Sequence, residues 1–279
     1  MKTQDFLIGQ LLSRTVLNSK YKNIQDAEFK VFSQWGDDGI IQYLVNNINI
    51  EKEKFIEFGV ENYLESNTRF LLMNNNWSGL IIDGNKRNIE YIKNDEIYWK
   101  YDLIAKYSFV TAENINELLI ENDFVGSIGL LHIDIDGNDY WIWKAINVVE
   151  ADIVIVEYNS LFGFEKAITI PYEPYFNRTK KHYSNLYAGT SLLALCDLAE
   201  KKGYFFVGTN KAGNNAYFVK KNKIGNLKPL SAEEGFTLSK FRESRDKKGK
   251  LTFLRGSERL NIIKGLNVYN TRTNKIEKL

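Results

Sequence analysis

The chain has 279 residues and a mass of 32.4 kDa, with 44% hydrophobic and 26% charged residues. That is ordinary for a globular protein and allows one large domain or two small ones. A net charge of +2 excludes a strongly basic nucleic-acid binder, one cysteine excludes an internal disulfide and a Cys-rich zinc site, and two histidines leave little for a His-based metal centre.

No apolar run reaches the roughly 18 residues of a membrane span. Phe6-Leu7-Ile8 is interrupted too soon by Gly9-Gln10 for a secretory core, so a cytoplasmic enzyme is expected. Charge is uneven along the chain. Residues 240–279 carry 12 Lys/Arg and 4 Asp/Glu, a balance of +8 that leaves the first 239 residues at −6. A solvated basic tail or subdomain is the simpler reading of this, attraction of an anionic partner the sharper one.

Residues 1–50 read as helical. Asp37 and Asp38 make an acidic first turn before the apolar Ile40, Ile41, Tyr43 and Leu44. Short apolar runs then alternate with amphipathic stretches. The runs are 54–58, 79–83, a weaker one at 97–99, 128–134 and 151–157. Helical patterns lie between them at 67–73, 88–93, 113–120 and 140–146. Runs that do not alternate suit a parallel sheet covered on both faces, so the pattern predicts a doubly wound α/β fold. After a loop-like stretch from Asn159 to Asn185, a helix fits 191–202 with Gly203 as its C-terminal cap. Strands at 204–207 and 215–219 then form an antiparallel pair. The expected organisation is a Rossmann-like domain with its N-terminal helices over 1–222, and a basic appendage over 223–279 packed on that core. The appendage carries a helix at 232–243 and a strand at 266–269.

Ligands of open α/β sheets bind at the carboxyl ends of the strands. Acids stand there on four runs: Glu57, Asp83, Asp134 with Asp136, and Glu157. One such acid is often only a helix cap; four are harder to set aside. The first loop, Glu57-Phe58-Gly59-Val60-Glu61, lacks the G-x-G-x-x-G of dinucleotide sites, and the chain has no P-loop. Acids on both sides of Gly59 repel phosphate and suit a cationic ligand. Asp83 follows Glu57 by 26 residues, at the place that grips ribose hydroxyls in nucleotide-binding folds.

The densest cluster is His132, Asp134 and Asp136, which share a face for as long as the strand persists. Its spacing fails as an EF-hand, because Asp139 and Ala145 stand where glycine and glutamate are required. Asp134, Asp136 and Glu157, with Asn159 nearby, are candidate ligands for Mg²⁺ or Mn²⁺. The simpler reading makes Asp134 a pocket residue and Asp136 a helix cap.

Ser33-Gln34-Trp35-Gly36-Asp37-Asp38-Gly39, then Phe55-Ile56-Glu57-Phe58-Gly59, then Leu131-His132-Ile133-Asp134-Ile135-Asp136-Gly137 resemble, in this order, the FkbM-like branch of class I S-adenosylmethionine-dependent methyltransferases. The resemblance covers residues 30–220. Glu61 stands where the first motif has its second glycine. The resemblance implies a mostly parallel seven-stranded sheet whose last strand is antiparallel, with S-adenosylmethionine as cofactor. It implies that Glu57 and Gly59 flank the methionine part and that Glu61 meets its ammonium group. Asp83 would accept from both ribose hydroxyls, Asn85 lie near the adenine, and Thr68 meet the carboxylate. Asp134 would order the pocket, while Gln34 and Asp38 close it. The acceptor it implies is a sugar or related small polar molecule of glycan or secondary-metabolite biosynthesis.

Asp136, His132 and His182 are candidate proton acceptors. His182 lies in the basic loop Arg178-Thr179-Lys180-Lys181-His182, which suits an anionic or nucleotide-linked sugar or else is a solvated lid. Tyr140 or Trp141 would offer a sugar-stacking surface, Trp143 and Cys196 would pack in the core, and Phe241 to Asp246 would be a solvated, self-paired face. The competing reading is a metal-dependent glycosyltransferase using Asp134-Ile135-Asp136 as a D-x-D motif, against which Glu57 and Glu61 weigh. A third is a non-catalytic partner that keeps the fold.

Overall fold

The computed structural model describes residues 3–17 and 19–279; residues 1, 2 and 18 of the expected helical stretch lie outside the described residues. Helices α1 (Thr3–Leu17) and α2 (Asp37–Asn47) lead into alternating elements: β1 (Lys54–Phe58), α3 (Arg69–Asn75), β2 (Ser78–Asp83), α4 (Lys86–Asn94), α5 (Ile97–Lys100) and β3 (Leu103–Tyr107). Next come α6 (Ile115–Glu121), β4 (Gly126–Ile133), α7 (Asp139–Ala145), β5 (Val149–Glu157), a short β6 (Ile168–Thr169), α8 (Arg178–Lys181), α9 (Leu192–Lys202), β7 (Tyr204–Thr209) and β8 (Asn215–Lys220). The chain ends with α10 (Ala232–Gly235), α11 (Gly256–Ile263), β9 (Asn267–Asn270) and β10 (Lys275–Lys278).

Seven strands form one sheet in the order β3-β2-β1-β4-β5-β8-β7. Only β8 runs against its neighbours β5 and β7, so the doubly wound, mostly parallel fold expected from the sequence is the one that forms. Side chains alternate across the sheet. Ile56, Leu80, Leu131 and Val154 point to one face, covered by α6, α7 and α9. Phe55, Ile81, Leu130 and Ile153 point to the other, covered by α2 to α5. The strand order reverses between β1 and β4, which opens a crevice at their carboxyl ends. No helix among the described residues is long and apolar enough to cross a membrane.

Two expectations need correction. The run 97–99 is a helical turn, begun where Asp95 Oδ1 accepts from Ile97 N–H at 2.8 Å. The true third strand is Leu103–Tyr107, an edge strand whose exposed Ile104 and Tyr107 dilute its apolar signal. The helix expected at 232–243 stops at Gly235, because Phe236 and Thr237 turn to Tyr158: its hydroxyl donates to Thr237 O at 2.6 Å and its ring meets Phe236. Tertiary contact overrides helix propensity there. Beyond it, β9 pairs with β6, and Ile263 and Val268 are buried in a third, smaller core with Ile168 and Ile170.

Candidate functional site

A cleft of about 890 Å³ lies over the carboxyl ends of β1, β2, β4 and β5. Eight carboxylates line it: Glu57, Glu61, Glu65, Asp83, Asp134, Asp136, Glu157 and Glu243. Among the described residues, Arg178 is the only Lys or Arg side chain that lines it. Such a surface attracts cations and repels polyanions.

Glu57 ends the β1 run and is almost wholly buried. Its Oε1 accepts from Asn67 N–H at 3.0 Å and lies 2.9 Å from His132 Nδ1, while its Oε2 accepts from the hydroxyls of Ser66 and Thr68. Asn67 Nδ2 lies 3.1 Å from His132 Nε2, so the network assigns Nδ1 as the protonated nitrogen of a neutral imidazole. Burial alone would raise the Glu57 carboxyl; the bonds from His132, Ser66 and Thr68 outweigh it and hold the group below the usual glutamate value. His132 is therefore the clasp of this carboxylate. Thr68 gives both its N–H and its hydroxyl to Glu57 and does not line the cleft, so the structure does not place it for a cofactor carboxylate.

Asp38 also lies away from the cleft. Its Oδ2 accepts the N–H groups of Val31, Phe32 and Ser33 at 2.7–2.8 Å and the Ser33 hydroxyl at 2.8 Å. Burial pushes the carboxyl up to about 6 against those bonds. Asp38 thus folds the segment that carries Gln34 and Trp35, which do line the cleft.

Gly59 adopts φ of +74°, and a Cβ there would lie 1.7 Å from Asp134 O, so this glycine lets the β1 and β4 loops meet. Glu61 N–H donates to Asp83 Oδ2 at 2.8 Å, and Asp83 Oδ1 accepts from Asn85 N–H at 2.7 Å and Asn88 Nδ2 at 3.1 Å. A carboxylate has about four acceptor positions, so roughly one remains on Asp83 Oδ2, not the pair expected for two ribose hydroxyls. The Asn85 side chain caps α4 by accepting from Arg87 N–H at 3.0 Å, while the residue itself stays on the cleft wall.

The fourth strand ends at Ile133, so Asp134 and Asp136 do not share a strand face. Asp136 sits in the left-handed region at φ of +59° and turns outward to accept from Arg178 Nη1 at 2.8 Å. Asp139 takes the place expected of Asp136: Asp134, Asp139 and Glu157 each bring a carboxylate oxygen within 4.8 Å of the others. Asp139 also caps its own turn, accepting from Ile135 and Gly137 N–H at 2.9 and 3.0 Å. Burial and then Glu157 push the Asp134 carboxyl well up. Burial and then Asp136 push Glu157 up to about 8, and burial pushes Asp139 up to about 6. Asn159 is not part of this group; its amide donates to Leu186 O and Ala188 O and shapes the following loop.

His182 does not line the cleft; its Nδ1 lies 2.7 Å from Ser184 Oγ, and burial lowers its pKa. Trp141 and Tyr140 are no stacking surface either. Trp141 Nε1–H donates to Ile170 O at 3.0 Å with its ring against Tyr269, and Tyr140 is buried. Trp143 is in the core, and partly buried Cys196 packs against it, with its thiol pushed up to about 12. Sequence reasoning missed Arg178, Trp35, Asn215, Phe241 and Glu243 as cleft residues. Two of these had a signal: Arg178 its place in the basic loop, and Trp35 its place beside Gln34 in the first motif.

No family model matches the chain, and no curated protein does. Solved structures resemble it in part. TehB from Haemophilus influenzae is 11% identical, over 67% of this chain and 62% of its own, with a TM-score of 0.40. The N-terminal domain of EvdMO1 with SAH bound is 10% identical, over 75% and 94%, at 0.41. A S-adenosylmethionine-dependent methyltransferase from Clostridium acetobutylicum is 11% identical, over 77% and 96%, at 0.42. This chain thus spans less than two thirds of TehB.

Proposed function

We propose that the chain is a S-adenosylmethionine-dependent methyltransferase of the FkbM-like kind, acting on a hydroxyl of a sugar or similar small polar acceptor. The observation that carries this is the placement of Asp83, with an acceptor position open, beside the Gly59 loop at the strand-order reversal of an acid-lined cleft. The donor set fits the group: carboxylates outnumber cations around the cleft, as a sulfonium with an ammonium requires. Gly59, Glu61, Asp83 and Asn85 would hold the nucleoside and methionine parts, with Asp134 beyond them. When bound, the cofactor supplies an activated methyl carbon.

The remaining work falls to the protein: orienting the acceptor and taking its proton. Of the candidate bases, Asp136 is engaged by Arg178, His132 by Glu57, and His182 lies outside the cleft. We assign the proton to Glu157, whose carboxylate faces the cleft with a pKa near working pH. Arg178 already brings positive charge to this cluster, so this reading does not call on Mg²⁺ or Mn²⁺. Residues 1–222 would form the transferase unit and 223–279 an appendage to it.

Calorimetry with S-adenosylhomocysteine and, separately, with UDP-glucose plus MnCl₂ tests the assignment. Binding of the first alone is expected. Binding of the second alone would replace it with the glycosyltransferase reading, which the acid lining does not favour.

A further inference from the structure

Phe241 and Glu243 are not part of a solvated face: both line the cleft. Phe241 stacks on Trp35, with ring centroids 5.8 Å apart and planes 20° from parallel. The same two rings line an adjoining groove of about 500 Å³, so the stacked pair partitions the two spaces. Buried Arg259 of α11 holds this pair from behind. Its Nη1 donates to Phe241 O at 3.0 Å and Ser239 Oγ at 3.1 Å, and its guanidinium lies 5.1 Å from the Phe241 ring centroid. Glu243 is fastened to Arg178 at 3.6 Å, the same arginine that holds Asp136.

A second feature points to a ligand. Asn215 is the register partner of Glu157 on β8, is almost wholly buried and lines the cleft. Its Nδ2 donates to Asp37 Oδ1 at 3.0 Å, which fixes the amide, while its Oδ1 has no partner. A buried polar atom left unpaired is costly unless something donates to it.

We propose that Trp35, Phe241, Glu243 and Asn215 form the acceptor wall of the methyltransferase, and that the acceptor is a neutral pyranoside. This rests on the methyltransferase reading above. The ring's C–H face carries slight positive charge and is drawn to the negative face of an aromatic pair. Its hydroxyls are the donors that Asn215 Oδ1 lacks, and they can add to those that Arg178 and Asn185 already bring to Glu243. An aromatic wall with a few placed polar atoms is the common make-up of a small-molecule site. The acid lining disfavours an anionic ring. Arg259 is a positioning residue, acting through Phe241, so the C-terminal segment selects the acceptor.

The test uses the full chain with and without S-adenosylhomocysteine, and the methyl glycosides of glucose, galactose, mannose, fucose and rhamnose as probes. Saturation-transfer NMR is expected to show binding of at least one glycoside. Phe241→Ala and Asn215→Ala should each weaken it about tenfold or more, a hot-spot-sized loss, with S-adenosylhomocysteine affinity unchanged. Arg259→Met should weaken glycoside binding in the same selective way, and Arg259→Lys should restore part of it. No binding by the wild-type chain, or equal binding by Phe241→Ala, overturns the wall. Failure of the wild type to bind S-adenosylhomocysteine would bring down the methyltransferase reading, and the titration without it still decides whether the wall binds sugars.

Discussion

His132 and Glu57 are register partners on β4 and β1, and the imidazole Nδ1 lies 2.9 Å from Glu57 Oε1, with both side chains almost wholly buried at the cleft wall. Every partner of this carboxylate is a donor. Glu57→Gln would therefore set an amide N–H against at least one of the groups that now donate. A stability loss of about 2–3 kcal/mol is expected, the cost of leaving a buried polar group unsatisfied. His132→Ala should cost a similar amount. Urea unfolding of both variants measures this. Wild-type stability with lost turnover would instead make His132 a proton acceptor.

Asp83→Asn keeps the shape of the β2 end but removes its charge. About one charge-assisted hydrogen bond to the ligand is at stake, so S-adenosylhomocysteine affinity should fall by about 1.5–3 kcal/mol, or roughly 10- to 150-fold. With the amide oxygen in the Oδ1 place, the bonds from Asn85 N–H and Asn88 Nδ2 persist and only Glu61 N–H loses its acceptor, so the fold should survive with some loss of stability. Calorimetry decides; unchanged affinity would remove Asp83 from the ligand site.

How much of this was legible depends on how local each determinant is. The central strands announce themselves because both faces are buried, which leaves short unbroken apolar stretches such as Ile153-Val154-Ile155-Val156 in β5. Edge strand β3 hid because only one of its faces packs. The acids at the strand ends were legible as a set, but not what each one does. Asp38 sits in the first motif and Thr68 at the start of the helix after β1, places that suggest ligand contacts, yet their oxygens close local loops. The exchange of Asp136 for Asp139 turned on β4 stopping at Ile133, with Asp136 in a left-handed turn three residues on. Phe241 and Asn215 reach the cleft through long-range packing, which no local pattern encodes.

Gly59 offers a steric test. A methyl group at this position would meet Asp134 O at 1.7 Å, and the backbone is already in the left-handed region. Conformational strain alone costs about 1–2 kcal/mol, and the contact forces the β1 and β4 loops apart. Gly59→Ala should lower the midpoint of thermal unfolding by several degrees and weaken S-adenosylhomocysteine binding in step. A variant with native stability but lost binding would mean that Gly59 makes room for the ligand and not for Asp134.

The Glu157 carboxyl gives a pH test whose sign is determined. Its ordinary value is 4.5; burial and then Asp136 raise it to about 8 in the folded chain. Between those values the unfolded chain has released this proton and the folded chain keeps it, so stability falls as pH rises through that window. Glu157→Gln removes the titration. The variant should match the wild type at about pH 4.5 and unfold a few degrees higher at about pH 9. The same residue, acting as proton acceptor, should make methyl transfer rise with pH up to about 8 and then level, a limb that the Gln variant lacks. Magnesium supplies the contrasting arm. A divalent ion held by the Asp134, Asp139 and Glu157 oxygens would stabilise the folded chain by mass action and erase the fall toward pH 9. With Arg178 already beside the cluster, unfolding curves in MgCl₂ and in EDTA are expected to coincide. A Mg²⁺-dependent rise that disappears in Glu157→Gln would make this a metal centre and return the proton to another base.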